Sequence, residues 1–152
     1  MMLFHLFCRM IVIVAVVLLS ACSSAPTPPP PLVFNVKSDI QANNGGLFYF
    51  VVRKANEKQF MLQTYSDVAN KAFADPVDLD SLGVFSIVPG SKQECKVSQP
   101  AQGTVALYFL LTKPSSQWKK LIAMPFQESY DIKIKANSRV EISEHKPWYS
   151  LF

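Results

Sequence analysis

Between residues 32 and 142 the sequence carries eight short runs with the pattern of β-strands, and these runs constrain the fold more than any other feature. Residues 47–53 are apolar along nearly their whole length, which predicts a central strand. Residues 104–111 are apolar on both faces, whereas residues 130–135 alternate between apolar and polar side chains and are expected to cover a core with one face. The remaining candidate strands are residues 32–37, 82–88, 93–97, 120–124 and 139–142.

Residues 57–72 interrupt this β pattern with the spacing of an amphipathic helix. The apolar stripe of this helix is predicted to consist of Met61, Tyr65, Val68 and Ala72. Asn56 is placed to cap the first turn, and Gln59 completes a capping-box pair. A single helix of this kind must lay its stripe on a sheet face or a sheet end. The sequence therefore predicts a mainly β fold, a β-sandwich of about eight strands with one short helix.

The first 21 residues are typical of a secretory signal peptide. Residues 10–19 are ten uninterrupted apolar residues, which span about 15 Å as a helix, half of the roughly 30 Å that a membrane core requires. The Leu-Ser-Ala-Cys of residues 19–22 resembles the bacterial lipobox, in which cleavage precedes a Cys that carries the lipid. We therefore expect residues 1–21 to be removed and Cys22 to be lipidated; the alternative is an ordinary signal peptide with a chance Cys. Ser23 and Ser24 favour the outer membrane.

The segment that follows Cys22 is rich in proline and shows no apolar periodicity. Residues 23–31 read SSAPTPPPP, which predicts a polyproline II-like spacer with a reach of about 28 Å. A PxxP ligand for a signalling domain is the alternative use of such a segment. The predicted organisation is thus a signal peptide at residues 1–21, a lipidated tether at residues 22–31 and one sandwich domain at residues 32–152.

Charge and cysteine content exclude several classes of protein. Without Arg9 the mature chain keeps 14 Lys and Arg residues against 11 Asp and Glu residues, an excess too small and too scattered for a polyanion partner. Cys8 is lost with the signal peptide and Cys22 carries the lipid. Cys95 is then alone, so that an intrachain disulfide is excluded.

The sequence offers little for catalysis. Cys95 and His145 could formally make a nucleophile pair, but a free Cys is commonly a small buried hydrophobe. Asp75, Asp78 and Asp80 form an acidic cluster that fails the EF-hand pattern and is expected to be a solvated loop. We therefore expect a protein that is not an enzyme, with no catalytic residue, no cofactor and no bound metal.

Two features suggest an interaction surface instead. Residues 38–46 (SDIQANNGG) lie between the first two strands, and their Asn-Asn-Gly-Gly favours positive φ and a protruding tip. This segment is either a binding loop or an ordinary long hairpin loop. Trp118 is either an interface anchor or a side chain that packs beside a hairpin, and we favour packing.

The order of these elements resembles the TssJ (SciN-like) family, the outer-membrane lipoproteins of type VI secretion. The segments that carry the resemblance are residues 48–54, 60–65, 89–91 and 106–109, together with Trp118. Two family signatures differ here. Ala42-Asn43-Asn44 stands in place of Leu-Asn-Pro, and residues 110–113 (LLTK) replace an Arg-Asp pair.

The resemblance implies a transthyretin-like two-sheet β-sandwich that faces the periplasm, is lipid-anchored in the outer membrane and performs no catalysis. It further implies that the loop between the first two strands binds the periplasmic C-terminal domain of the inner-membrane protein TssM and, through it, the rest of the secretion membrane complex. That loop consists of Ser38, Asp39, Ile40, Gln41, Ala42, Asn43, Asn44, Gly45 and Gly46.

Two other classes of lipoprotein remain open. A pilotin or assembly lipoprotein of a different secretion or conjugation system would share the anchor and the sandwich. A periplasmic ligand-binding or inhibitor lipoprotein would need a pocket of about 300 Å³ or more with convergent polar groups.

Overall fold

The computed structural model describes residues 28–144, which form eight strands in two four-stranded sheets. The predicted signal peptide, Cys22 and His145 lie outside the described residues. The strands are β1 (Leu32–Ser38), β2 (Phe48–Lys54), β3 (Ser81–Ile87), β4 (Lys92–Val97), β5 (Thr104–Leu110), β6 (Lys119–Ala123), β7 (Ser129–Ile134) and β8 (Val140–Glu144). Sheet I has the order β4-β1-β7-β8 and sheet II the order β3-β2-β5-β6. The predicted two-sheet sandwich is confirmed.

Strand pairing is antiparallel except between β1 and β7, which run parallel in sheet I. β1 and β2 follow each other along the chain but lie in different sheets. The loop between them therefore crosses from one sheet to the other, and the ordinary hairpin that we considered is excluded. The turn at residues 136–138 does join a hairpin, that of β7 and β8, with Ser138 at a φ of 61°.

The core lies between the sheets and is rich in aromatic side chains. Phe50 of β2 is fully buried, with its ring 5.4 Å from that of Phe34 in sheet I and 5.2 Å from that of Phe109 in β5. The two apolar faces predicted for residues 104–111 have separate uses. Val105, Leu107, Phe109 and Leu111 enter this core, whereas Ala106, Tyr108 and Leu110 belong to a second cluster on the outer face of sheet II.

Two short helices cover that outer face, where the sequence predicted one. Helix α1 spans Glu57–Leu62 and α2 spans Tyr65–Ala72. The predicted capping box of Asn56 and Gln59 begins α1. A second capping box begins α2, with Thr64 as its N-cap and Asp67 as the paired residue. The chain breaks between them because Gln63 is extended, with a ψ of 123°. A second capping box favours a new helix start over continuation of the first.

The break also changes which side chains reach the sheet. Met61, assigned to the stripe by its spacing, is 70% exposed, and Phe60 packs against the cluster in its place. Val68 is fully buried as predicted, with Tyr65 and Ala72 partly buried beside it. When the helical spacing of apolar residues is continued across a break, the residues on one side of the break are assigned to the wrong face of the helix. Met61 was assigned to the buried face for this reason. Among the described residues, no helix has the length and apolar character needed to cross a membrane.

The sandwich has two distinct ends. At one, which we call the loop end, lie the connections at residues 39–47, 88–91, 111–118 and 135–139. At the other, the tether end, residues 28–31 lead into β1. The seven residues of β1 separate the two ends by about 20 Å. The first loop of the domain thus lies at the end opposite the tether.

Candidate protein-binding surface

The loop at residues 39–47 is held in place by one buried asparagine. Asn43 is 5% exposed, and its Nδ2 donates to the carbonyls of Gly46 (3.0 Å) and Leu47 (3.1 Å). Its Oδ1 accepts from the backbone N–H of Thr112 at 2.8 Å, while its own N–H donates to Oγ of Ser138 at 3.1 Å. A single residue thereby links this loop to two other connections of the loop end, through its side chain to Thr112 and through its backbone N–H to Ser138. The loop is consequently part of a rigid scaffold.

The backbone adopts the predicted left-handed conformation here. Asn43, Asn44 and Gly45 have φ values of 52°, 54° and 76°, and Asn tolerates this region better than other side chains. Gly46 has an ordinary φ of −86°, but a Cβ added to it would lie 3.2 Å from the carbonyl oxygen of Asn43. Glycine at position 46 therefore allows the backbone there to lie close to the carbonyl of Asn43.

The structure divides the nine residues predicted as the binding loop into two groups. Ser38, Ala42 and Asn43 are buried. A protruding tip is therefore wrong for Asn43, which folds down onto the sandwich and makes hydrogen bonds there. The other six are exposed: Asp39, Ile40, Gln41, Asn44, Gly45 and Gly46. Binding through any of these residues stays a prediction.

Three large apolar side chains are exposed together at the loop end, and we call them the apolar patch. Ile40 is 73% exposed, Val88 56% and Leu47 49%. Leu47 and Val88 stand one residue beyond the ladder pair of Phe48 and Ile87. Exposed apolar side chains that cluster in one place are typical of interaction sites, whereas single ones are ordinary.

The turn at residues 88–91 lies directly against the loop. A Cβ added to Gly90 would sit 3.5 Å from the Ile40 side chain, and the N–H of Ser38 donates to the carbonyl of Ser91 at 3.0 Å. Sequence reasoning assigned Leu47 and Val88 to strands and so missed them as surface residues. The signal that could have found Val88 is the Pro-Gly that follows it, because a turn at that point ends the strand and exposes its last residue.

Trp118 belongs to the scaffold, in agreement with the packing role that we favoured. Its ring lies 5.3 Å from that of Tyr65 in α2 and 5.8 Å from that of Tyr108 on the outer face of sheet II. Nζ of Lys119 donates to the carbonyls of Phe60 at 2.7 Å and Gln63 at 3.1 Å at the end of α1. Trp118 and Lys119 thus fasten the helices to the sheet.

The residues considered for chemistry also have structural positions. Cys95 is fully buried in β4, and burial raises the pKa of its thiol to about 11, which keeps the thiol protonated and unreactive at neutral pH. Asp78 forms an ion pair with Arg53, which is 1% exposed, while Asp75 and Asp80 are solvent-exposed. Within residues 28–144 no group of three or more His, Cys, Asp or Glu side chains is arranged to hold a metal ion.

Depressions large enough for a ligand lie on the surface of the sandwich. One of about 350 Å³ opens on the outer face of sheet I and is lined by side chains of β4, β1 and β7. Another of about 420 Å³ runs between the edge strands β6 and β8. Both are open to solvent, whereas a dedicated small-molecule site encloses most of its ligand.

Comparison with known proteins gives the family. The model of the family described as "IglE, N-terminal domain" matches residues 49–134, more than half of the chain. The chain belongs to the IglE family. The matched span runs from β2 to the end of β7, so it includes Val88 of the apolar patch and begins after the loop that carries Ile40.

Solved structures of type VI secretion proteins share the fold of this chain. The type VI secretion lipoprotein TssJ1 of Pseudomonas aeruginosa superimposes with a TM-score of 0.59 at 12% identity, over 79% of this chain and 99% of that one. Serratia marcescens Lip, a membrane-bound component of the type VI secretion system, gives 0.54 at 14% identity, over 78% and 100%. A chain of a type VI membrane complex gives 0.55 at 8% identity, over 77% and 98%. The predicted resemblance to the TssJ family is confirmed. No curated protein matches the chain in sequence.

Proposed function

We propose that this IglE-family protein is a lipid-anchored component of the outer membrane that binds the periplasmic domain of the inner-membrane protein TssM and thereby anchors the type VI secretion membrane complex. Its family and its fold, shared with TssJ1 and Lip, support the assignment to that complex. The observation that carries the binding role is the apolar patch on a rigid loop end. The role is one of binding and needs no catalysis.

The anchor in this proposal is Cys22, at the start of the mature chain. Each buried CH₂ group of an acyl chain contributes about 0.8 kcal/mol, so several chains hold a protein firmly where one holds it marginally. The proline-rich tether then sets the distance between the membrane and β1. Since β1 runs from the tether end to the loop end, the apolar patch faces away from the anchored end.

This arrangement promotes binding even when the affinity between the two isolated domains is low. Anchoring confines the loop end to a thin layer next to the outer membrane, where a partner that spans the periplasm also arrives. Confinement raises the effective concentration of one binding surface for the other. Rigidity of the loop contributes as well, because Asn43 has already fixed the backbone that binding would otherwise have to order.

The experiment that tests the binding surface is an Ile40→Asp substitution with a matched control. Leu79 is 96% exposed and its loop lies at the tether end, where Lys54 N–H donates to the carbonyl of Asp80. Burial of an Ile side chain contributes about 1.5–3 kcal/mol, so Ile40→Asp should raise the Kd for the periplasmic domain of TssM by about tenfold or more. Leu79→Asp should leave this Kd unchanged. Equal affinity of both variants and the unmodified protein would refute the surface.

The anchor has its own test, which is independent of the partner. Cys22→Ser should remove the lipid and release the protein into the soluble periplasmic fraction, with the domain still folded. Mass spectrometry of the mature unmodified chain should show an acylated Cys22 at its start. An unacylated start, or membrane association that survives Cys22→Ser, would contradict the proposed anchor.

A further inference from the structure

Three lysines stand side by side across three strands of sheet I, and we call them the lysine row. The register places Lys37 of β1 opposite Lys92 of β4 and also opposite Lys133 of β7. All three side chains are exposed on the outer face of the sheet. Like charges directly opposite each other in a sheet destabilise it. Repulsion within the lysine row therefore lowers the stability of the sheet.

Two acidic side chains of the same face pair with lysines outside the row. Glu94 pairs with Lys96 at 2.8 Å, and Glu141, which stands opposite Lys133, pairs with Lys135 at 3.2 Å. Asp131 accepts a hydrogen bond from Nδ2 of Asn35 at 3.0 Å. The ion pairs of Glu94 and Glu141 are therefore made with Lys96 and Lys135 and not with the lysine row.

The lysine row is continuous with the loop end. Lys37 precedes Ser38, and Lys92 follows Ser91; the N–H of Ser38 donates to the carbonyl of Ser91 at 3.0 Å. The turn that contains Ser91 packs on Ile40 through Gly90. The row therefore borders the apolar patch, and its three lysines line the shallow depression of about 350 Å³ on sheet I.

We propose that the lysine row is the charged rim of the partner-binding surface, and that the partner is a protein with an acidic strip beside its apolar contact. This inference rests on the proposed function. An apolar centre with a charged rim is the usual anatomy of a protein interface. A lipid surface fits less well, because the row lies at the loop end, about 20 Å along β1 from the anchored end. Opposite charges across the rim speed association more than they tighten the final complex.

The test compares two double variants of the full-length protein that have the same net charge. Lys37→Gln with Lys92→Gln removes two members of the lysine row. Lys58→Gln with Lys71→Gln removes two exposed lysines from α1 and α2. The measurement is the association rate constant for the periplasmic domain of TssM, taken over a range of salt concentrations.

We expect the first variant to associate about tenfold more slowly at low salt, with a weaker salt dependence, because electrostatic steering is lost. Its melting temperature should be unchanged or higher, since the repulsion within the row is relieved. The control should associate at the unmodified rate. This combination of slower binding without lower stability separates an interface role from a structural one.

The outcomes distinguish this inference from the proposed function. If the unmodified protein binds TssM and both variants associate at the unmodified rate, the lysine row is not part of the interface while the proposed function stands. If the unmodified protein does not bind TssM, both fail. Slower association with a lowered melting temperature would overturn the inference, because it would mark a role in folding. Vesicles that contain phosphatidylglycerol provide a further arm: loss of vesicle binding by the first variant, with TssM association unchanged, would assign the row to lipid.

Discussion

At the scale of single residues, Asn43 determines how the loop end is built. Its side chain satisfies backbone groups of its own loop and of Thr112, 69 residues away, and its N–H reaches Ser138, 95 residues away. The sequence predicted positive φ around residues 43–46, because Asn and Gly adopt it readily. It could not predict the burial of Asn43, since partners so far along the chain have no local signal.

Asn43→Ala should therefore lower the free energy of unfolding by about 2–4 kcal/mol, through lost hydrogen bonds and a left-handed conformation that Ala adopts poorly. The matched control is Asn44→Ala, at nearly the same φ but with an exposed side chain, which should cost only about 1 kcal/mol. Urea denaturation measures both. Equal losses in the two variants would show that the side-chain hydrogen bonds of Asn43 contribute nothing.

The buried thiol of Cys95 and the buried hydroxyl of Tyr108 predict a loss of stability at high pH. Burial raises the pKa of the Cys95 thiol from 9.0 to about 11 and that of the Tyr108 hydroxyl from 10.0 to about 12, although the charge of Arg53 opposes the shift at Tyr108. Both groups bind their protons more tightly in the folded chain, so their contribution is complete below pH 9 and is lost as the pH rises toward 12.

Together these two groups should cost a few kcal/mol of unfolding free energy across that range, since one pKa unit corresponds to about 1.4 kcal/mol. Urea denaturation at a series of pH values measures the slope. Cys95→Ala should flatten the part of the curve just above pH 9, where the unfolded thiol ionises. An unchanged slope in this variant would exclude Cys95 as a source of the alkaline loss.

At the scale of elements, local pattern predicted strands well and the helix less well. The strands begin and end within about two residues of the predicted bounds, because alternation and turn residues are local signals. The helix prediction missed the break at Gln63, although the Thr-x-x-Asp of residues 64–67 is itself a helix-start signal. The helical spacing of apolar residues continues across Gln63, and this concealed the start of α2.

Thr64 should accordingly contribute more to the free energy of unfolding than its exposed position suggests. Thr64→Ala removes the cap of α2 and should lower the free energy of unfolding by about 1 kcal/mol. Ser66→Ala, two residues further along the chain and also exposed, is the control and should be neutral or slightly stabilising, since Ala has the higher helix propensity. The hydrogen bonds from Thr64 also lower the pKa of Asp67, so the advantage of Thr64 should fade as the pH falls through that lowered value. Equal stabilities of the two variants at neutral pH would contradict a capping role.

At the scale of the whole molecule, the separation of the two ends connects fold to function. The parallel pairing of β1 with β7 brings the turn at residues 135–139 beside the first loop, at the end opposite the tether. No local pattern encodes a pairing between strands so far apart in sequence. The lysine row depends on it through Lys133, and the apolar patch depends on another contact that is distant in sequence, that of Gly90 with Ile40. The sequence therefore predicted the loop but not the surface of which the loop is a part.

The most direct measurement is site-specific photo-crosslinking in intact cells that assemble the secretion system. A photoreactive amino acid is placed at Val88 of the apolar patch and, in a separate strain, at Leu79 of the tether end, and crosslinked products are identified by mass spectrometry. We predict an adduct with the periplasmic domain of TssM from position 88 and none from position 79. Absence of a TssM adduct from position 88, or equal adducts from both positions, would contradict the proposal that the loop end is the surface that binds the complex.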